Sequence, residues 1–273
     1  MDTSQIRKYS TILTIAGSDS SAGAGIQADI KTAAAFGGHA STAISSITAQ
    51  NTCGIIAISD VDPYMLQKQI EAIVTDEKPL AVKTGMLPSP QAVEVVANAI
   101  RRFNLVNIVV DPVLISTSGT PLSDKMEDTI RTMKTVLFPL ATLVTPNIPE
   151  AITLSGLSKS DILNNPLLLP DRLNCPDILL KGGHSETDCD DILIAEKETT
   201  TFTSKRIGSR NTHGTGCVLS SAIASCLALG LTLREAVKHA KNFVTRAIEE
   251  GKDLHFGNGH GPLFLLDKYN SMQ

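Results

Sequence analysis

The sequence predicts an α/β protein built on a mainly parallel sheet with helices on both faces. Strand-like apolar runs alternate with amphipathic stretches of helical period along most of the 273 residues. The strand-like runs close in polar or glycine-containing turns, where ligands of open α/β sheets gather. With 42% apolar and 19% charged residues, the chain also has an ordinary globular composition and enough length to bury a core.

Ile12–Ala16 is a short apolar run ending at Gly17, and a helix follows from about Gly25 to Phe36, closed by Gly37-Gly38. Ser41–Ala49 and Ile55–Ile58 read as strands, Pro63–Thr75 as a helix with proline at its start, and Leu80–Lys83 as a buried strand. Pro90–Phe103 is the next helix. Asn107–Val110 is a β-branched run stopping at Asp111-Pro112, Leu122–Val136 is helical, and Ala141–Val144 runs into Thr145-Pro146-Asn147. A short helix to about Leu154 and an irregular Asn/Pro-rich stretch over 158–176 precede the strand Ile178–Leu180. Ile192–Ala195 and Thr199–Thr203 flank Glu196-Lys197-Glu198 as a hairpin, and helices over Thr215–Leu229 and Leu233–Glu250 complete the chain. No repeat or linker appears.

Charge narrows the function. With 24 Lys plus Arg against 28 Asp plus Glu, and no basic cluster, nothing marks a nucleic-acid or anionic-membrane surface. The longest nearly apolar run, Cys217–Leu231, is interrupted by serines and falls short of the roughly 20 residues of a bilayer span. No signal-peptide pattern opens the chain, so a cytoplasmic location is expected. Five widely spaced cysteines form no C-x-x-C pair and read as reduced thiols.

Two glycine motifs stand before helices. Gly23-Ala24-Gly25-Ile26-Gln27-Ala28 fits the dinucleotide pattern, yet no Asp or Glu from Ile30 to Ser59 could hold a ribose, which argues against a nicotinamide cofactor. No G-x-x-x-x-G-K-[ST] run exists, which excludes a P-loop. Asn211-Thr212-His213-Gly214-Thr215-Gly216-Cys217 is the stronger motif. It reads either as a turn whose successive N–H groups converge on a phosphate or as a plain helix cap.

Taken together, seven blocks spread over nearly the whole chain resemble the hydroxymethylpyrimidine/phosphomethylpyrimidine kinases of thiamine biosynthesis, in the ribokinase superfamily. They are Gly17-Ser18-Asp19-Ser20 to Asp29, Ala49-Gln50-Asn51-Thr52, Lys83-Thr84-Gly85-Met86-Leu87, Val110-Asp111-Pro112-Val113, Thr145-Pro146-Asn147-Ile148-Pro149-Glu150, Lys181-Gly182-Gly183-His184 and Asn211–Cys217. The resemblance implies one three-layer α/β/α domain over residues 1–273, ATP with Mg²⁺, a homodimer, and two phosphorylations that carry 4-amino-5-hydroxymethyl-2-methylpyrimidine to its diphosphate.

It also implies roles. Gly214, Thr215 and Gly216 form an anion hole with Cys217, which stands where most ribokinase relatives carry an aspartate base; alone, Cys217 reads equally as a small buried apolar residue. A helix N-terminus is expected to lower its pKa. Asp111 and Glu150 hold the metal, or are a turn-former and a first-turn helix carboxylate. Lys181, Asn147 and Thr212 face ATP, Lys181 otherwise being a solvated strand end. Gly17, Asp29, Gln50, Met86 and Val113 take the ring, against readings of Asp29 as a solvated helix residue, Gln50 as a turn amide, and Met86 and Val113 as core. His184 and His213 receive no role. The stretch over 158–176 is shorter than usual, and Ala22 replaces a common loop glycine. A pyridoxal kinase of the same superfamily and a catalytically silent pyrimidine- or nucleotide-binding sensor are the competing readings.

Overall fold

The computed structural model describes residues 9–114, 125–182 and 189–265. Its strands are β1 (Thr11–Asp19), β2 (His39–Asn51), β3 (Gly54–Asp60), β4 (Ala81–Thr84), β5 (Ile108–Val110), β6 (Leu143–Val144), β7 (Ile178–Leu180), β8 (Asp191–Ala195) and β9 (Glu198–Phe202). They form one sheet in the order β3-β2-β1-β4-β5-β6-β7-β8-β9. The run from β2 to β7 is parallel, and β3, β8 and β9 are antiparallel at the two edges. The expected sheet and the expected hairpin over β8 and β9 are both present. β1 leads to β2 on one side and pairs β4 on the other, so the order reverses between β1 and β4, where a ligand crevice is expected.

Alternation along the strands builds two cores. Leu13, Val82, Val110 and Val144 point to one face, covered by α2 (Pro63–Val74), α3 (Pro90–Phe103), α4 (Met126–Thr132) and α5 (Ile148–Ser155). Ile12, Ala81, Val109 and Leu143 point to the other, covered by α1 (Gly25–Ala35) with the last two helices. The region 158–176 is better ordered than its composition predicts. Two short helices, α6 (Lys159–Asn164) and α7 (Leu169–Leu173), bury Ile162, Leu169 and Leu173 in the first core. Ser158 caps α6 through the N–H of Asp161, which supplies the stop-and-start signal that the prolines obscured. The helix expected over Leu122–Val136 begins outside the described residues and is seen from Met126, closing in a wider π-type turn over Met133–Leu137.

The last two helices are α8 (Thr215–Ala228) and α9 (Leu233–Gly251). Ser220, Ser221 and Ser225, which made α8 too polar to span a bilayer, are buried: Ser220 and Ser225 return their hydroxyls to the preceding turn of the helix, and Ser221 donates to the Asp29 carbonyl of α1. Among the described residues no helix is long and apolar enough to cross a membrane. Ala22 adopts φ 58°, the left-handed conformation that explains a glycine preference at its position.

One ion pair lies inside the second core. Lys83 of β4 and Asp29 of α1 are both fully buried, with the Lys83 ammonium 2.9 Å from each Asp29 oxygen, and Thr14 of β1 donates a further hydrogen bond to Asp29. Burial works against the charge on Lys83, but Asp29 more than offsets it and holds the ammonium above its usual range. Lys83→Met leaves the carboxylate buried without its partner and is expected to cost about 3–5 kcal/mol, most of it recovered when Asp29→Leu is added. Urea unfolding midpoints of the single and double variants check this.

Candidate active site

A cavity of about 890 Å³ opens beyond the carboxyl ends of the parallel strands. Of the residues expected to act, Gly17, Gln50, Met86, Val113, Asp111, Asn147, Glu150, Lys181, Thr212, Gly214, Thr215, Gly216 and Cys217 all line it. Asp29 does not. Its carboxylate is occupied by Lys83 and Thr14 beneath the floor, so the structure gives it a place in the fold rather than on the wall.

The glycine turn before α8 is built by close approach. Gly214 sits at φ 82°, and a Cβ there would lie 1.9 Å from the carbonyl oxygen of Gly23, so no other residue fits. Thr215 turns its hydroxyl back onto the Thr212 carbonyl at 2.7 Å, and its N–H donates to the same carbonyl at 3.3 Å, while the amides of Gly216 and Cys217, in the first turn of α8, have no intrahelical acceptors. A Cβ on Gly216 would lie 3.2 Å from Lys181 Nζ and 3.6 Å from Asp111 Oδ2. The missing side chain is what brings the turn up to the charged groups.

Those groups come from three strand ends. Lys181 donates to Asp111 Oδ1 at 2.7 Å and stands 3.9 Å from Glu150 Oε2. Asn147 and Glu150 form a capping box on α5, each accepting the other's backbone N–H at 2.8 Å. Burial alone would raise Asp111, but Lys181 and Lys83 hold it below the ordinary carboxylate range. Burial pushes Glu150 up to about 7 despite Lys181. Lys181, desolvated but facing both carboxylates, is held up at about 12. Asp111 and Glu150 are hard oxygen donors on either side of one lysine, and no cluster of three or more metal-ligating side chains occurs among the described residues. This donor set fits a divalent cation of the Mg²⁺ type that keeps most of its waters, rather than a protein cage.

Apolar side chains also face the cavity. Met86 and Val113 line the cavity, and Gly17 is close enough to β2 that a Cβ would lie 2.9 Å from Ser46 Oγ and 3.4 Å from Met86 Sδ. Gln50 is tied to the first loop by Ser20, whose hydroxyl both donates to its carbonyl at 2.7 Å and accepts its N–H at 2.8 Å. Two residues given no role in the sequence reading stand here: buried His213 and Asp19, 2.9 Å apart, with the Gln50 amide 3.1 Å from the same imidazole nitrogen. Both lie inside the motifs, but their meeting joins positions 194 residues apart, which spacing does not reveal.

Cys217 departs from expectation. The helix N-terminus and Lys83 favour a thiolate, but burial together with Asp29 and Asp111 outweighs them and pushes the thiol up to about 11. All five cysteines are free thiols, as expected.

This sheet, with its ligand cavity at the strand ends and a glycine turn opening the helix behind it, defines a protein of the ribokinase-like α/β/α class. The phosphomethylpyrimidine kinase family model matches residues 19–264, and the chain belongs to that family. It is 43% identical to a thiamine biosynthesis bifunctional protein of Geobacter sulfurreducens over 93% of its own length and 51% of that protein's. It is 39% identical to the hydroxymethylpyrimidine/phosphomethylpyrimidine kinase of Haemophilus influenzae over 92% of its length and 94% of the relative's. The chain therefore spans about half of the bifunctional relatives and nearly all of the monofunctional ones. Among solved structures, phosphomethylpyrimidine kinase from Clostridium difficile is 38% identical with a TM-score of 0.74, over 87% of this chain and 99% of that one. Pyridoxal kinase from Staphylococcus aureus, in complex with AMP-PCP and pyridoxal, is 29% identical with a TM-score of 0.85, over 98% and 97%.

The thiol gives a direct test on the empty protein. With Cys217 protonated well above neutral pH, its alkylation by iodoacetamide is expected to rise about tenfold per pH unit from 7 to 10, whereas a thiolate stabilised by the helix terminus would level off near pH 8. Peptide mass spectrometry across that range separates Cys217 from the other four cysteines.

Proposed function

We propose that this chain, acting as one cytoplasmic kinase domain, transfers the terminal phosphoryl group of ATP to the hydroxymethyl oxygen of 4-amino-5-hydroxymethyl-2-methylpyrimidine, and then phosphorylates the monophosphate to the diphosphate. The observation that carries this reading is one cavity lined both by Gly17, Gln50, Met86 and Val113 and by the glycine turn, Lys181, Asp111 and Glu150. Family membership and the monofunctional relatives support it.

In each step a new P–O bond forms to the substrate oxygen while the bond to ADP breaks. The first-turn amides of Gly214 to Cys217 stabilise the charge on the transferring group, and need no reorganisation because α8 already holds them. Lys181 neutralises phosphate charge, with Asn147 and Thr212 on the nucleotide side. Asp111 and Glu150 would hold Mg²⁺, which when bound would supply neutralisation of phosphate charge. Met86 and Val113 wall the ring, and Gln50 meets its polar edge.

Cys217 accepts the hydroxyl proton in the first step. Only its thiolate can accept, so the thiol, pushed to about 11, first gives its own proton to solvent, and the thiolate then takes the hydroxyl proton as the P–O bond forms, in keeping with the loose transition states of phosphoryl transfer. The second nucleophile is a phosphate monoester, mostly dianionic at neutral pH because its second pKa is about 6, and needs no base. Cys217→Ala is therefore expected to slow the first step about 10²-fold and the second by much less. Equal losses would reduce Cys217 to a backbone donor. ADP release with the pyrimidine and with pyridoxal in parallel, products followed by ³¹P NMR, tests the whole assignment. Turnover to a pyrimidine diphosphate is expected; pyridoxal preference, the reading favoured by the Staphylococcus aureus structure, overturns the substrate, and silence on both overturns the enzyme.

A homodimer belongs to the same proposal. β3 is an edge strand whose residues are mostly exposed, with Ile56 at 76% and Ile58 at 37%, next to Ile47 of β2 at 53%. An unpaired apolar edge of this kind is normally covered. Ile56→Lys with Ile58→Lys is expected to halve the mass in light scattering while the fold persists by circular dichroism.

A further inference from the structure

Asp19 closes β1 and gathers donors. Its Oδ1 accepts the N–H and the hydroxyl of Ser21, both at 2.8 Å, and its Oδ2 accepts the N–H groups of Gly23 at 3.1 Å and Ala24 at 2.9 Å. Only an ionised carboxylate accepts from so many partners. Burial would raise its pKa, but the hydrogen bonds from His213, Ser21 and Ala24 hold it at about 2. His213 Nε2 stands 2.9 Å from Oδ2, so that ring nitrogen must carry a proton and donate it.

The consequence falls on Gln50. Its amide end lies 3.1 Å from the same Nε2, and a protonated ring nitrogen has no lone pair left to accept with. The group facing His213 is therefore the carboxamide oxygen. The other end of the amide gives the same answer. Thr48 Oγ1 donates its single proton to the Ser18 carbonyl at 3.0 Å, so its oxygen is left to accept the Gln50 NH₂ at 3.1 Å. A carboxamide is sterically alike at both ends, and here both partners select one orientation.

The imidazole has little room to move. The His213 N–H donates to the Gly261 carbonyl at 3.0 Å, and its backbone bridges Pro262. A Cβ on Gly23 would lie 2.4 Å from His213 Cδ2, so the first glycine loop packs flat against the ring.

We propose that His213 is a specificity-determining positioning residue: with its Nε2 proton fixed by Asp19, it sets the Gln50 carboxamide with its oxygen toward the imidazole and its nitrogen toward Thr48. This rests on the reading of Gln50 as the residue that meets the ring edge. The set amide has one N–H left beside its oxygen, in a fixed order along the wall. That order complements a ring nitrogen beside an exocyclic amino group, and a substrate with the pattern reversed would leave buried polar groups unpaired.

Two measurements test it. Long-range ¹H–¹⁵N correlation on histidine-labelled protein, with the His213 signals identified by their loss in His213→Gln, is expected to show Nε2 protonated at neutral pH; a bare Nε2 overturns the proposal. In kinetics, His213→Met is expected to raise KM for the aminopyrimidine about tenfold while KM for ATP stays within about twofold, and His213→Gln, which returns an N–H near Nε2, recovers most of the loss. Equal shifts in both KM values, or no advantage of Gln over Met, overturns it. Where His213→Met melts below assay temperature, Gln50→Glu serves instead: it keeps an oxygen toward His213, loses the N–H, and is expected to raise the pyrimidine KM alone. A wild type without turnover on the pyrimidine overturns the substrate reading, and the tautomer then decides the His213 geometry by itself.

Discussion

The buried pair of Lys83 and Asp29 is the interaction on which the site is built. It joins α1 to β4, and through Thr14 to β1, at the point where the strand order reverses. A charge pair there is costly to desolvate, and an apolar pair of similar volume would hold the helix as well or better. What an apolar pair could not do is set charges under the cavity floor. Lys83 acts on Asp111 and on Cys217 from below, while Lys181 acts on Asp111 from the side. The fold thus carries one lysine beneath Asp111 and another beside it.

The second organising contact is between the two glycine loops. Gly214 can approach the Gly23 carbonyl only because it lacks a side chain, and the adjoining His213 uses that closeness to reach Asp19. The N-termini of α1 and α8 are consequently fixed relative to one another before any ligand arrives. Preorganised amides of this kind stabilise developing charge without a further reorganisation cost. The glycine pattern of the first loop, tempting as a dinucleotide fingerprint, serves here to admit the second loop.

Much of the site was legible because a parallel sheet collects its strand ends. Gly17, Met86, Asp111, Val113, Asn147, Glu150 and Lys181 each follow a recognisable apolar run, and such positions converge whatever the helices between them do. Asp29 was misread because its meaning depends on Lys83, 54 residues away, and a polar residue on a helix gives no sign of which way it faces. His213 and Asp19 were visible as motif members but not as partners. The short helices of 158–176 were hidden by prolines that fall at helix starts, where they are tolerated.

Cys217 shows how far a local rule can be displaced. A helix N-terminus does favour a thiolate, but the effect is short-ranged and worth about 0.3–1 kcal/mol in an ordinary setting. Desolvation, with Asp29 and Asp111 close by, acts the other way and prevails, leaving the thiol near 11 in spite of Lys83. An aspartate in that place would be a ready acceptor at rest and would add a further negative charge to a floor that already holds two carboxylates. A thiol of that pKa is neutral at pH 7, so a bound phosphate would meet less repulsion, but it can accept a proton only after losing its own. In a transition state where the P–O bond to ADP is largely broken before the new one forms, an acceptor is needed only late. The high pKa and the proposed role as a base therefore trade against each other: neutrality favours an anion in the cavity, and proton acceptance is left to a small thiolate fraction that is strongly basic for the same reason.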